Sequence, residues 1–107
     1  MGILEDRLRI VPEFRPEEYD TVRDLMAGKL ERRLSRWEPS DVELEISVKD
    51  RETSKQRMAL ECWISRLPKF VATSTKQELE AAVIECRDDL YTQVNKFVTK
   101  KETQRRR

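Results

Sequence analysis

Residues 76–101, KQELEAAVIECRDDLYTQVNKFVTKK, decide how the rest of this chain is read. Leu79, Val83, Cys86, Leu90, Val94 and Phe97 recur at spacings of 4, 3, 4, 4 and 3. That is the apolar period of a helix laid on a core. The outer face changes sign along its length. Glu78, Glu80, Glu85, Asp88 and Asp89 make the first half acidic, while Lys96, Lys100, Lys101 and the terminal Arg105, Arg106 and Arg107 make the end basic. Thr75 is the expected N-cap, with Glu78 three residues on as in a capping box.

A single amphipathic helix needs a platform, and the preceding residues supply one. Val42, Leu44, Ile46 and Val48 alternate with Glu43, Glu45, Ser47 and Lys49, the pattern of a half-buried strand. Met58, Leu60, Cys62 and Ile64 alternate in the same way with Ala59, Glu61, Trp63 and Ser65. Between them, Asp50 to Gln56 is charged and lacks apolar anchors, so a mobile hairpin loop is expected. After the turn Arg66-Leu67-Pro68, Lys69 to Ser74 forms a fourth strand whose facing is left open. Nearer the start, Leu8, Ile10 and Val11 give a short first strand that Pro12 limits.

Arg15-Pro16-Glu17-Glu18 reads as a helix entry, with proline at the first helical position and acids at the positive end of the dipole. One continuous helix is expected to about Trp37, where Glu38-Pro39-Ser40-Asp41 turns the chain. Tyr19, Met26, Leu30, Leu34 and Trp37 cluster on its inner side, with Val22 and Leu25 at the edge. Lys29, Arg32, Arg33 and Arg36 recur at i, i+3, i+4 and i+7, beside the apolar face. Such a stripe can border a groove, or it can be a solvated face whose long stems cover apolar surface.

The order strand, helix, strand, strand, strand, helix predicts an α+β fold. Strands one and two should be parallel through a right-handed crossover, and the others antiparallel. Both helices should cover one face of a four-stranded mixed sheet, since each has one apolar stripe to bury. The expected organisation is one domain over residues 1–101 and a basic, disordered tail over 102–107.

The formal net charge of +1 hides an uneven distribution. Residues 96–107 hold six Lys/Arg and one Glu; the remaining sixteen basic and twenty acidic residues leave the rest at −4. Histidine is absent, glycine is limited to Gly2 and Gly28, and Cys62 and Cys86 both take inward positions. This excludes His-based catalysis, a glycine-rich phosphate loop and a thiolate metal cage. Two buried free thiols in a reducing cytoplasm are expected, without cofactor or metal. No apolar run approaches the ~20 residues of a membrane span. A binding module, not an enzyme, is the remaining class.

From about Val22 onward the chain resembles the ribosome hibernation-promoting factor family, the ribosome-associated inhibitors also known as sigma modulation proteins. Phe70-Val71-Ala72-Thr73-Ser74 and Glu78-Leu79-Glu80-Ala81-Ala82-Val83, continuing to Leu90, Gln93 and Lys96, are similar to the family's last strand and last helix. Leu34-Ser35-Arg36-Trp37 is similar to the end of its first helix. The resemblance implies a monomeric translation inhibitor that silences idle ribosomes by binding small-subunit rRNA in the channel used by messenger and transfer RNA. It implies no membrane or small-molecule partner. Lys29, Arg32 and Arg36 match basic places in the family's first helix, and Lys96 and Lys100 match places in its second; Arg33 and Lys101 join them by proximity. Three departures stand out. Asp89 and Thr92 occupy places where members commonly carry Lys and Arg, one residue is inserted between Leu30 and Leu34, and the ribosome-pairing half of the long members has no counterpart here.

Two other readings compete. A protein-interaction domain on the same fold would use the open sheet face around Trp63. A double-stranded-RNA binder also sets two helices on a small sheet, but the first strand and the parallel crossover argue against it.

Overall fold

The alternation of the two long strands is realised over their full length. In the computed structural model, which describes residues 7–11 and 13–105 with side chains to residue 100, β2 (Val42–Lys49) and β3 (Arg57–Ile64) pair antiparallel from Val42↔Ile64 to Lys49↔Arg57. β1 (Leu8–Ile10) joins β2 in parallel, and β4 (Phe70–Ser74) joins β3 antiparallel, giving the order β1-β2-β3-β4. Phe70, Ala72 and Ser74 face inward, which resolves the facing of β4. Val42, Leu44, Ile46, Val48, Met58, Leu60, Cys62 and Ile64 are all buried on one face. Both helical segments lie there, so the fold is the expected α+β arrangement. Pro12, Arg106 and Arg107 lie outside the described residues.

The first helix departs from expectation. It is a 3-10 turn at Pro16–Glu18, then α1 (Tyr19–Met26), then α2 (Lys29–Leu34). Ala27 is extended, and Gly28 takes φ 96° and ψ −128°, a region essentially reserved for glycine. The reason lies in the spacing of Val22, Met26, Leu30 and Leu34. Four-residue steps drift by about 40° each on a continuous α-helix. Three such steps would carry Leu34 off the face that holds Val22. The break resets the phase, and all four side chains are fully buried.

The last helix also starts differently. α3 runs Leu79–Arg105, so it begins three residues later than expected, and its backbone continues past Lys101 through 102–105. The Thr75–Glu78 capping box does not open it. Instead, buried Gln56 donates through Nε2 to the carbonyls of Lys76 and Gln77, both at 3.1 Å, while its Oε1 accepts from the Glu52 N–H at 2.9 Å. Those bonds hold residues 76 and 77 in a non-helical path. Inward from there, Val83, Cys86, Leu90 and Val94 are buried as the period requires, with Ala82 and Val98 beside them. Phe97 is partly buried and meets Phe70 edge-on at 5.8 Å.

Gln56 belongs to the hairpin expected to be mobile, and polar anchors replace the missing apolar ones. The Arg51 guanidinium donates to both Glu18 oxygens at 2.8 and 2.9 Å, with both side chains more than four-fifths buried. Arg15 reaches Glu52 at 2.6 Å. Asp50 and Glu52 take positive φ to make the turns. The loop is thereby docked on the start of the helical layer, beside Phe14, a core residue that the sequence pattern did not mark.

Two measurements check this account. Gly28→Ala should cost roughly 1–3 kcal/mol in denaturant unfolding; the added methyl would meet no atom within 4 Å, so the loss would be conformational rather than steric. The Arg51 hydrogen bonds hold the Glu18 carboxyl below its ordinary 4.5, against a smaller desolvation effect. Its stabilising contribution should therefore be complete above pH 4.5 and fade as pH falls through the lowered value. Glu18→Gln should lose about 1–2 kcal/mol at neutral pH and lack that part of the acid dependence.

Candidate nucleic-acid interface

The two helical segments are stitched to α3 by a short polar seam. Arg87 of α3 donates through Nη1 to the Leu25 carbonyl, near the end of α1, at 2.9 Å. Four residues further along each partner, the Lys29 ammonium lies 4.7 Å from the centroid of the Tyr91 ring. Both chains advance in the same direction, so the helices run parallel. The Lys29 Nζ is also 3.8 Å from Asp88 Oδ1, which accepts from Arg87 Nε at 2.9 Å. One further step of the same four-residue period leads to Arg33 on α2 and Asn95 on α3. Arg33 is half-buried, and its Nε is buried with no hydrogen-bond partner among the described residues.

Parallel packing sorts most of the charge, with Arg23 in the acidic half and Glu31 in the basic half as exceptions. Glu17, Asp20 and Asp24 lie at the same end as Glu78, Glu80 and Glu85; Lys29, Arg32, Arg33 and Arg36 lie at the same end as Lys96 and Lys100. The Lys29–Asp88 contact marks the boundary. In α3, each sign sits at the end whose dipole it complements.

Within the basic half, the cations occupy separate rows. Lys29 and Arg33 border the seam. Arg32 is exposed on the outward side of α2, opposite buried Leu30 and Leu34. Arg36 lies past the α2 C-cap, with its guanidinium carbon 6.0 Å from the Trp37 ring. Lys96 and Lys100 share a helical stripe with Asp89 and Gln93. Gln93 donates to the Val71 carbonyl at 2.8 Å, so this stripe borders the β4 side of α3. Thr92 and Thr99 lie on the outward ridge between that stripe and the seam. The Lys101 side chain lies outside the described residues. Among the described residues, Arg32, Arg33, Lys96 and Lys100 make no ion pair. Arg87 and Tyr91 are the seam residues that sequence reasoning missed. Their signal was the four-residue recurrence of Arg87, Tyr91 and Asn95 along one flank of the apolar stripe.

No known protein-family model and no curated protein matches the sequence.

The opposite sheet face is more fully compensated. Arg7 is 3.6 Å from Glu43, Arg9 2.8 Å from Glu45, and Lys69 3.2 Å from Glu61. Lys69 also lies over the half-buried Trp63 ring at 5.2 Å. Trp63 lines a depression of about 290 Å³ together with Arg7, Asp41, Glu43 and Ser65 among others. Val71, 41% exposed, is the large hydrophobic residue that protrudes among the described residues. Lys49 and Arg57 face each other at the far end of the two long strands. None of the described helices is long and apolar enough to cross a membrane.

Both cysteines are free and buried, and burial pushes each thiol up to about 12. Neither should react with a thiol reagent at pH 8 in the native protein, while both should react on unfolding; a disulfide-exchange dye followed spectroscopically reads this directly.

Proposed function

We propose that this chain is an RNA-binding module that docks the basic half of its helical layer on the small ribosomal subunit and blocks translation there. The observation that carries this reading is the sorting of charge by parallel helices. Lys29, Arg32, Arg33, Arg36, Lys96 and Lys100 gather at one end of the layer, and Arg32, Arg33, Lys96 and Lys100 have no carboxylate partner among the described residues. On the sheet face Arg7, Arg9 and Lys69 are each committed to one, and Lys49 and Arg57, at its far end, make no ion pair among the described residues. Cations without internal partners are those that release counterions when they meet phosphates. The resemblance of the last strand and helix to hibernation factors supports the ribosome as the RNA. The α+β order is the same.

The expected behaviour is pelleting with small subunits at low salt and steep release as salt rises. Replacing Lys29, Arg32, Arg36, Lys96 and Lys100 together by Ala should reduce the slope of log K against log salt by about 4. Absence of pelleting at low salt would remove the ribosomal reading. An unchanged slope would clear these residues of a phosphate role.

A further inference from the structure

We infer that the Lys29–Tyr91 contact is a nucleotide subsite, in which an unpaired RNA base stacks on the Tyr91 ring and its phosphate lies between Lys29 and Arg33. The inference rests on the proposed RNA reading and names the form of RNA the site takes.

Tyr91 lies on the seam flank of α3, half-buried and packed against the edge of the core, with the Lys29 ammonium over its ring. The group over its ring is the ammonium of Lys29, at 4.7 Å, on an exposed and flexible side chain. A ring face covered by a lysine head is open to another planar or cationic group once that head swings aside. Lys29 need not be lost in the exchange, because a phosphate beside the base gives its ammonium a new partner. Arg33 lies one helical turn further along α2, on the same side, about 5–6 Å away along the axis. Its Nε is buried without a hydrogen-bond partner among the described residues. Because that Nε is buried, a phosphodiester there would be met by the terminal nitrogens of the Arg33 guanidinium, one turn from Lys29.

Asp88 gives the subsite a direction. Its carboxylate is shared by Lys29 and Arg87 at the acidic end of the seam. That pairing occupies the Lys29 ammonium on its Asp88 side, so the phosphate is placed on the Arg33 side and the base over Tyr91. A duplex keeps its base faces inside the stack and cannot use Tyr91, whereas a single strand can.

The test measures binding of the full chain to a short single-stranded oligoadenylate and to an RNA duplex of equal length, at several salt concentrations. Tyr91→Leu should weaken single-strand binding roughly five- to a hundredfold, as expected for one lost base stack. It should leave the salt slope and the duplex affinity unchanged. Tyr91→Trp should restore single-strand binding, and the wild type should shift adenine protons upfield through the ring current. Lys29→Ala should instead lower the salt slope by about 1. Thermal unfolding of each variant separates misfolding from lost contact, and Tyr91→Trp keeps the test decisive if the leucine variant fails to fold. Equal single-strand and duplex affinity, with Tyr91→Leu changing both less than twofold, would overturn the subsite while leaving electrostatic docking intact. No binding to either RNA at low salt would overturn the subsite, while the docking reading it rests on stands or falls separately on pelleting with small subunits.

Discussion

The constraint on which everything else depends is the one-sided burial of β2 and β3. Eight inward side chains, paired from Val42↔Ile64 to Val48↔Met58, make one face of the sheet wholly apolar. Turning any one of these strands by a single residue would exchange its apolar set for its charged set. Both helical segments must therefore lie on that face. With β1 parallel to β2 and β4 antiparallel to β3, the segment after β1 and the helix after β4 both return in the same direction. Parallel helices follow from strand order, and charge sorting follows from parallel helices. A sequence with the same acidic-then-basic gradient on two antiparallel helices would place each basic end beside an acidic one. It would offer no cationic surface.

Strands and core were legible because alternation and helical period are geometric requirements that a sequence meets residue by residue. The misreadings cluster where a polar group outcompetes a local preference. Thr75 and Glu78 have the form of a capping box, yet Gln56, about twenty residues away, claims the carbonyls of Lys76 and Gln77 and delays α3 to Leu79. The Asp50–Gln56 loop lacked apolar anchors, as read, but Arg51 and Gln56 fix it with charge and amide bonds. Neither partner is signalled by spacing. The break at Gly28 was legible in principle. A strict four-residue repeat of Val22, Met26, Leu30 and Leu34 cannot stay in phase on one straight helix, and the sole glycine of the segment lies in the middle of it.

The candidate site was legible residue by residue but not as a surface. Lys29, Arg32, Arg33 and Arg36 were visible as a row, and Lys96 and Lys100 as another. Their relation depends on which flank of α3 meets α2, and that is set by Arg87 reaching Leu25 and by Gln93 reaching Val71. Helical period alone places Arg87 and Gln93 on opposite flanks of the stripe without saying which flank faces the neighbouring helix. The seam therefore gathers Lys29, Arg33, Arg87 and Tyr91, while Lys96 and Lys100 stand on the far shoulder.

Net charge of +1 has a consequence for how such a surface can work. Beyond about 10 Å at 0.1 M salt, screening hides separated charges from one another. At that range the acidic and basic halves of the helical layer also largely cancel, so the chain exerts little steering pull on a polyanion. Attraction appears only at close approach and in one orientation, with the Lys29–Asp88 contact near the border of the favoured half. A uniformly basic protein of this size would bind any nucleic acid it met. On the proposed RNA-docking reading, a dipolar layer gives up association rate and non-specific affinity, and phosphates are favoured only over the basic half. Specificity would then reside in the shape of an RNA that fills that half without crossing into the other.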